Sequence, residues 1–334
     1  LEVGGSQIVA IELAASIARM GYEVLIYGPQ GDLVDMIRDL GLEFIEAPAQ
    51  MTKNRRELSV GVALDVWRVA RRRRIDLIHT YEFSPIMDAM YGAHLLRGTP
   101  IVMSVLSVFS AHWVPTHPPL IHCTAEMVAE ARRSRPWVEH LEIPIDTVAN
   151  APVADATAAR ARFGIAPDEI AVMVVSRLAP DLKREGILSA IEAVGRLTER
   201  FPRLRLFVVG DGPSRPEIEG LAASTNARIG REVVTLTGTL MDPRDAYAAS
   251  DIMLGMGSSA LKSMAFAKPL IVQGERAFWK LAEPDTAGLF LHQGWYGLGD
   301  GGDGSKLVES ILEDLIKSPE RWKELGTFGR DLVT

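Results

Sequence analysis

Apolar residues along this chain alternate between two spacings. Short, mostly apolar runs, such as 22–27, 76–79, 100–106, 170–175 and 205–209, predict buried strands. Segments with apolar residues three and four apart, such as 8–20, 58–73, 187–200 and 214–223, predict amphipathic helices. The same reading puts further helices at 33–40, 85–96, 125–133, 244–249, 259–266, 306–317 and 320–330, and further strands at 43–45, 120–123, 141–143, 232–236, 252–254 and 269–272. Strands and helices therefore take turns almost throughout, the pattern of parallel sheets covered by helices in an α/β protein. Between 144 and 167 the periodicity lapses around Pro144, Pro152 and Pro167. This places a linker near 150–155 and two Rossmann-like domains at 1–150 and 151–334. Ligands of such sheets bind beyond the carboxyl ends of the strands, so two such halves point to a cleft between them.

A length of 334 residues suits two such domains. The net charge of −7 gives no basic field for nucleic acid. The run Arg71-Arg72-Arg73-Arg74 closes a predicted helix, where cations suit the helix C-terminus, and reads as a solvated end rather than a binding patch. The single cysteine, Cys123, excludes an internal disulfide framework and a cysteine-based zinc site; its apolar surroundings predict a buried small hydrophobe. No apolar stretch is long enough to cross a membrane and none reads as a signal peptide, so the default expectation is a cytoplasmic protein, with peripheral membrane contact left open. The chain starts at Leu1 without a strand ahead of Gly4-Gly5 and ends at Thr334 in mid-element, so both ends are expected to extend further. The turn 299–304 (Gly-Asp-Gly-Gly-Asp-Gly) reads as a flexible loop, with too few carboxylates for a calcium site.

Four segments that lead into helices, three of them after a strand, carry candidate chemistry. Gly4-Gly5-Ser6 precedes a helix, whose free N–H groups suit an anion, or is a tight turn with Ser6 as N-cap. After the strand 170–175 come Arg177 and Lys183, a planar fork and a point charge that together suit a diphosphate, or else two surface cations. Gly210-Asp211-Gly212-Pro213 is a glycine turn that leaves room for a ligand, with Asp211 a candidate helix cap. Ser258 and Ser259 offer hydroxyls and amides to phosphate, or cap their helix.

Taken in order, these junctions resemble glycosyltransferase family 4, the large GT-B family of retaining enzymes. The matching residues are Gly4-Gly5, Val175-Ser176-Arg177-Leu178 with Lys183 and Gly186, and Val209-Gly210-Asp211-Gly212-Pro213. Leu236-Thr237-Gly238-Thr239-Leu240, Ala249-Ser250-Asp251, Ser263-Met264-Ala265-Phe266-Ala267-Lys268-Pro269 and Thr286-Ala287-Gly288-Leu289 continue the match. The resemblance implies a GT-B fold with two facing Rossmann-like domains. The N-terminal domain would bind an acceptor and the C-terminal domain a nucleotide sugar, with closure excluding water. It implies Arg177 and Lys183 as the catalytic cations that hold the diphosphate and stabilise it as it leaves. Gly4, Gly5, Gly210, Gly212, Leu240, Ser258, Ser259 and Lys262 would contact the donor, Leu240 beside the base. The donor expected is a UDP-sugar, with no cofactor and no bound metal; the acceptor is a small molecule or lipid-linked.

Two departures stand out. The family's Glu-x7-Glu region is atypical: the second glutamate aligns with Lys262, and 254–257, where the first would fall, contains no acid. Lysine cannot accept the ribose hydrogen bonds, so ribose binding differs, or Lys262 meets another phosphate or carboxylate. Leu106 stands where many relatives carry a histidine. His79, Tyr81 and Glu82 end the preceding strand, His112 and His117 flank a proline-rich stretch, and Glu275 follows the strand 269–272. Of these, His79, Glu82 and Glu275 are the candidate acceptor or sugar contacts. Two other readings stay open: a GT-B scaffold enzyme with different chemistry, such as a pseudo-glycosyltransferase or nucleotide-sugar epimerase, and a non-catalytic nucleotide-sugar-binding subunit. A dehydrogenase is disfavoured, because no Gly-x-Gly-x-x-Gly follows the first strand.

Overall fold

The computed structural model describes residues 4–48, 58–106 and 113–334. His112 lies outside them. The chain divides into two compact units, Leu1–Pro144 and Ile145–Thr334.

The first unit runs α1 (Gly5–Arg19), β1 (Leu25–Gly28), α2 (Val34–Asp39), β2 (Glu43–Glu46), α3 (Val60–Arg72) and β3 (Ile78–Tyr81). It continues with α4 (Ser84–Ala89), a π-helical turn (Met90–His94), α5 (Leu95–Arg97), β4 (Ile101–Val105), β5 (Leu120–His122), α6 (Ala125–Ala131) and β6 (Val138–His140). β1 and β2 pair in parallel, and β3-β4-β5-β6 form a second parallel sheet. Ile11, Ala14, Leu33 and Ile37 make one core; Ile86, Met103, Val105, Leu120 and Val128 make another. The helix predicted over 85–96 contains the π turn, where Gly92 lies against α3. A Cβ there would fall 2.1 Å from the Ala63 carbonyl oxygen, so only glycine allows the crossing. The strand expected at 141–143 is instead β6: Val138 is buried while Leu141 is exposed, and the chain leaves the sheet after Leu141 N–H bonds His122 O. The four arginines 71–74 are exposed, Arg73 paired with Glu43 and Arg71 stacked over Trp67.

The second unit runs α7 (Thr157–Arg162), β7 (Ile170–Val175), α8 (Arg184–Leu197), β8 (Leu204–Val209), α9 (Arg215–Ile229), β9 (Val234–Gly238) and α10 (Arg244–Ala249). β10 (Ile252–Gly255), α11 (Ser258–Ala265), β11 (Leu270–Gln273), β12 (Trp279–Leu281), α12 (Pro284–Gln293), α13 (Gly304–Lys317) and α14 (Glu320–Val333) follow. Its six-stranded sheet has the order β12-β11-β10-β7-β8-β9, parallel except for the antiparallel edge strand β12. Val172, Val174, Leu206, Val208, Ile252 and Leu254 are fully buried in the sheet, which explains their unbroken apolar runs. α7 lies just beyond the expected linker at 150–155, inside the stretch 144–167 where the periodicity lapses. It is held less by an apolar stripe than by Arg160, whose guanidinium donates to the carbonyls of Ala249, Ala166 and Glu169 and to Asp251. No helix among the described residues is long and apolar enough to cross a membrane.

Candidate functional site

The carboxyl ends of β7, β8, β9, β10 and β11 carry most of the candidate residues, as the parallel order requires. After β7 the chain makes a loop from Ser176 to Lys183, and the turn after β8 supports it. Ser176 N–H donates to Val209 O (2.9 Å), Leu178 N–H to Asp211 O (2.9 Å), and Ser214 N–H to Leu178 O (2.9 Å). Gly210 and Gly212 make this possible. A Cβ on Gly210 would lie 1.9 Å from Ser176 O, and one on Gly212 2.6 Å from Leu178 O, at φ of +143° and +155°. The space these glycines open is filled by neighbouring backbone, so they shape the loop that presents Arg177. Asp211 is not the N-cap of α9; its Oδ1 accepts from Gly212 N–H and its Oδ2 pairs with Arg215 at 3.0 Å.

Arg177 is exposed, and among the described residues it has no acidic partner. Lys183, the N-cap residue of α8, keeps partial solvent access. Burial of its ammonium, and secondarily the Arg177 charge beside it, push its pKa down to about 7. The Arg177 charge thus acts on Lys183, and among the described residues neither makes an ion pair, an arrangement that an added anion would relieve. Gly186, one turn into α8, lets β11 and β12 pack close: a Cβ there would meet Gln273 Oε1 at 2.9 Å and Trp279 at 3.4 Å.

Ser258 opens α11, and among the described residues its hydroxyl has no hydrogen-bond partner. Ser259 is committed to its own turn, its Oγ donating to Met256 O (2.9 Å) and accepting from Met256 N–H (3.2 Å). Leu240 follows β9 and is half-buried. Two residues on, the Asp242 carboxyl is held below the usual carboxylate range, first by its hydrogen bond to Arg244 and also by the charge of Lys262. Leu240 and Lys262 therefore belong to one neighbourhood, with Asp242 as an acid that the sequence reading missed.

Glu275, in the loop after β11, accepts from Leu182 N–H (3.2 Å) through Oε1 and from the Tyr296 hydroxyl (3.2 Å) through Oε2. Glu185, in the first turn of α8, reaches the other way and accepts from Arg276 N–H (3.0 Å) and Ala277 N–H (2.6 Å). Tyr296 and Glu185 were also missed. Glu185 has the generic signature of an acid in a first helical turn, and Tyr296 has no local signal.

In the first unit, α1 starts earlier than expected, with Gly4 as its N-cap residue in extended conformation. Ser6 is not the cap: inside the first turn, its hydroxyl donates to Glu82 Oε1 at 2.6 Å. Glu82 has the unusual φ of +62° and follows β3, its N–H bonded to Ser104 O. Gly4, Gly5 and Glu82 are thus brought together. His79 is half-buried: Nε2 lies 2.7 Å from Ser104 Oγ, Tyr81 stacks on the ring, and burial pushes its pKa down to about 4. Cys123 is buried, with its thiol pushed up to about 11 chiefly by burial, and it donates to Leu106 O. His117 is exposed beside His94.

The family model for Glycosyltransferase Family 4 matches residues 3–173, and that for Glycosyl transferases group 1 matches residues 169–294. The alpha-D-kanosaminyltransferase of Streptomyces kanamyceticus is 32% identical over 143 residues, 40% of this chain and 34% of that protein. The alpha-monoglucosyldiacylglycerol synthase of Acholeplasma laidlawii is 24% identical over 178 residues, 51% of this chain and 40% of that protein. The chain thus spans 34% and 40% of the lengths of these curated relatives. Among solved structures, a glycosyltransferase from Rickettsia africae superposes with a TM-score of 0.74 at 12% identity, covering 100% of this chain and 91% of the other. Anabaena HepE, solved in complex with UDP and glucose, gives 0.74 at 15% identity over 99% of this chain and 91% of the other. The shared fold is GT-B, with two Rossmann-like domains. With its first 170 or so residues inside one family model, and that fold along its whole length, the chain belongs to glycosyltransferase family 4.

Proposed function

We propose that the chain transfers a sugar from a nucleoside diphosphate donor to a small-molecule or lipid-linked acceptor, with retention of anomeric configuration and without a metal ion. One observation carries the reading: the loop after β7 brings Arg177 and Lys183 to the carboxyl edge of the second sheet, near enough for the Arg177 charge to act on Lys183, and neither makes an ion pair among the described residues. Their guanidinium and ammonium groups would bind the diphosphate and stabilise its growing charge as the glycosidic bond to it breaks. They would thereby do the work a divalent cation does elsewhere. The amides at the start of α11, with the Ser258 hydroxyl, offer further donors to a phosphate. Leu240 and Lys262 would flank the nucleoside, with Asp242 able to accept the ribose hydrogen bonds that Lys262 cannot.

The second unit is therefore the donor side and the first the acceptor side, where Glu82, set against Ser6 and the N-terminus of α1, is the candidate acceptor contact. His79, neutral and enclosed, would act through its hydrogen bonds. The UDP bound by Anabaena HepE supports a UDP-sugar as donor. The name of one curated relative, an alpha-monoglucosyldiacylglycerol synthase, supports a lipid acceptor, and that of the other, an alpha-D-kanosaminyltransferase, supports transfer of a sugar.

The test is turnover of a panel of nucleotide sugars in excess chelator, with sugar and lipid acceptors, and anomeric configuration read by NMR. The reading expects an α-linked product from an α-linked donor, and its loss in Arg177→Ala. Chelator-sensitive turnover, or a β-linked product, would contradict it.

A further inference from the structure

We propose that Glu275 and Tyr296 are positioning residues for Lys183: together they hold the left-handed turn at Leu182 from which Lys183 projects. The inference rests on the reading of Arg177 and Lys183 as the diphosphate grip and adds the device that sets the grip.

Leu182 has a φ of +66°, a conformation that residues with a side chain rarely adopt, so something outside the turn must select it. Within the loop, Lys183 N–H bonds Asp181 O (2.8 Å) and Arg184 N–H bonds Ala179 O (3.2 Å). The amide of Leu182 goes outward to Glu275 Oε1, and Tyr296 holds the other carboxylate oxygen. Glu275 is itself fixed at the backbone. Its N–H bonds Gly297 O (3.0 Å), and its carbonyl accepts from Gly299 N–H (2.9 Å). Gly301 N–H bonds Arg276 O (3.0 Å), so the glycine-rich turn 299–304 is docked on this loop. Glu185 closes the figure from the other side, since the two amides it binds belong to Arg276 and Ala277, both at positive φ. The loop after β11 thus lends Glu275 to the left-handed backbone at Leu182, and the first turn of α8 lends Glu185 to that at Arg276 and Ala277.

The chemistry also excludes a direct ion pair. Among the described residues Lys183 makes no ion pair, since both Glu275 oxygens are engaged elsewhere, and burial and the Arg177 charge push its pKa down where an adjacent carboxylate would raise it. Glu275 spends its oxygens on an amide and a phenol and leaves the ammonium unneutralised for an incoming anion. The phenol stays protonated to do this, as burial and the Glu275 charge push Tyr296 up to about 12.

The experiment is calorimetric titration of the whole chain with UDP at pH 7. Loss of this charge-supported placement in Glu275→Ala is expected to weaken binding about 10-fold or more. Glu275→Gln keeps an oxygen for Leu182 N–H and an amide for the phenol oxygen, and should restore binding to within about threefold. In a Lys183→Ala background, Glu275→Ala should add less than about twofold. Glutamine as damaging as alanine would mean that Glu275 touches the ligand through its charge, and an additive cycle would mean that it acts independently of Lys183; either overturns the proposal. If Glu275→Ala does not fold, the cycle of Tyr296→Phe with Lys183→Ala decides by the same criterion. A ligand-free readout separates this claim from the functional one: NMR titration of the Lys183 side chain. Glu275→Ala should move its midpoint away from about 7 towards the ordinary lysine range, and Glu275→Gln should not. A wild-type chain that binds no nucleoside diphosphate refutes the functional reading, and the titration alone then judges the positioning: an unmoved midpoint in Glu275→Ala refutes it.

Discussion

Gly210→Ala tests whether backbone packing places Arg177. The new Cβ would sit 1.9 Å from the Ser176 carbonyl oxygen at a φ of +143°. Carbon–oxygen contacts settle at about 3.3–3.6 Å, so the carbonyl has to retreat by more than about 1 Å. No rotamer relieves the contact, because the obstacle is main chain pinned by Ser176 N–H to Val209 O and Leu178 N–H to Asp211 O. The disfavoured φ costs about 1–3 kcal/mol and the forced shift of packed atoms about 1–3 more, together about 2–6 kcal/mol. At about 2–4 °C per kcal/mol for a unit of this size, the melting midpoint should fall by roughly 4–24 °C. The retreat carries Arg177 away. A lost charge-assisted contact to phosphate, about 1.5–3 kcal/mol, weakens UDP binding about 10- to 150-fold. Scanning calorimetry and UDP titration read the two effects. Gly230→Ala is the control: φ is +80° there, but no atom lies within 4 Å of the added carbon, so it should cost some stability and leave UDP affinity alone. A Gly210→Ala protein that melts within about 2 °C of wild type and binds UDP unchanged would refute the reasoning.

At pH 8 free Lys183 is largely neutral, so UDP binding should take up a proton at this residue, seen as a binding heat that varies with the ionisation enthalpy of the buffer and loses this dependence in Lys183→Met; equal heats in all buffers would count against it. Because its folded pKa of about 7 lies below the ordinary 10.5, the cost of its charge is fully present below pH 7 and is relieved as pH rises from about 7 to 10.5, so the ligand-free protein should gain stability across that window. His79 should show no imidazole titration by NMR between pH 8 and 5; its depressed pKa makes the folded state refuse a proton that the unfolded state accepts, so its contribution to stability falls from about pH 6.5 down to about 4, and a midpoint near 6.5 would contradict the burial argument. Arg160→Met strips the anchor of α7 and removes the ion-pair partner of the half-buried Asp251, which keeps its bond from Ala171 N–H; the loss should be about 1.5–3 kcal/mol and roughly 3–12 °C in melting midpoint, whereas a drop under about 2 °C would show α7 to be held by other contacts.

What the sequence disclosed followed from where apolar surface is buried. β7 and β8 were readable because both faces are covered, and the amphipathic α3, α8 and α13 because one face is. α7 was hidden because a guanidinium holds it, and polar anchoring has no period. β12 is three residues long, with Lys280 exposed between two inward side chains, too short to register as a strand. The glycine turns were visible as turns, but their occupant was not: spacing alone does not tell whether freed space receives a phosphate or, as at Gly210, the next loop. Arg177 and Lys183 could be named because the resemblance to the family singles them out; two cations after a strand read by themselves as surface charges. Glu185 and Tyr296 could not, because their partners are backbone amides and a carboxylate 92 and 21 residues away.

The most direct measurement is a crystal structure of this chain grown with UDP. The account predicts the β-phosphate within hydrogen-bond distance of both the Arg177 guanidinium and Lys183 Nζ, with the uracil beside Leu240. A diphosphate seated elsewhere, with those two side chains turned away from it, would contradict the account at its centre.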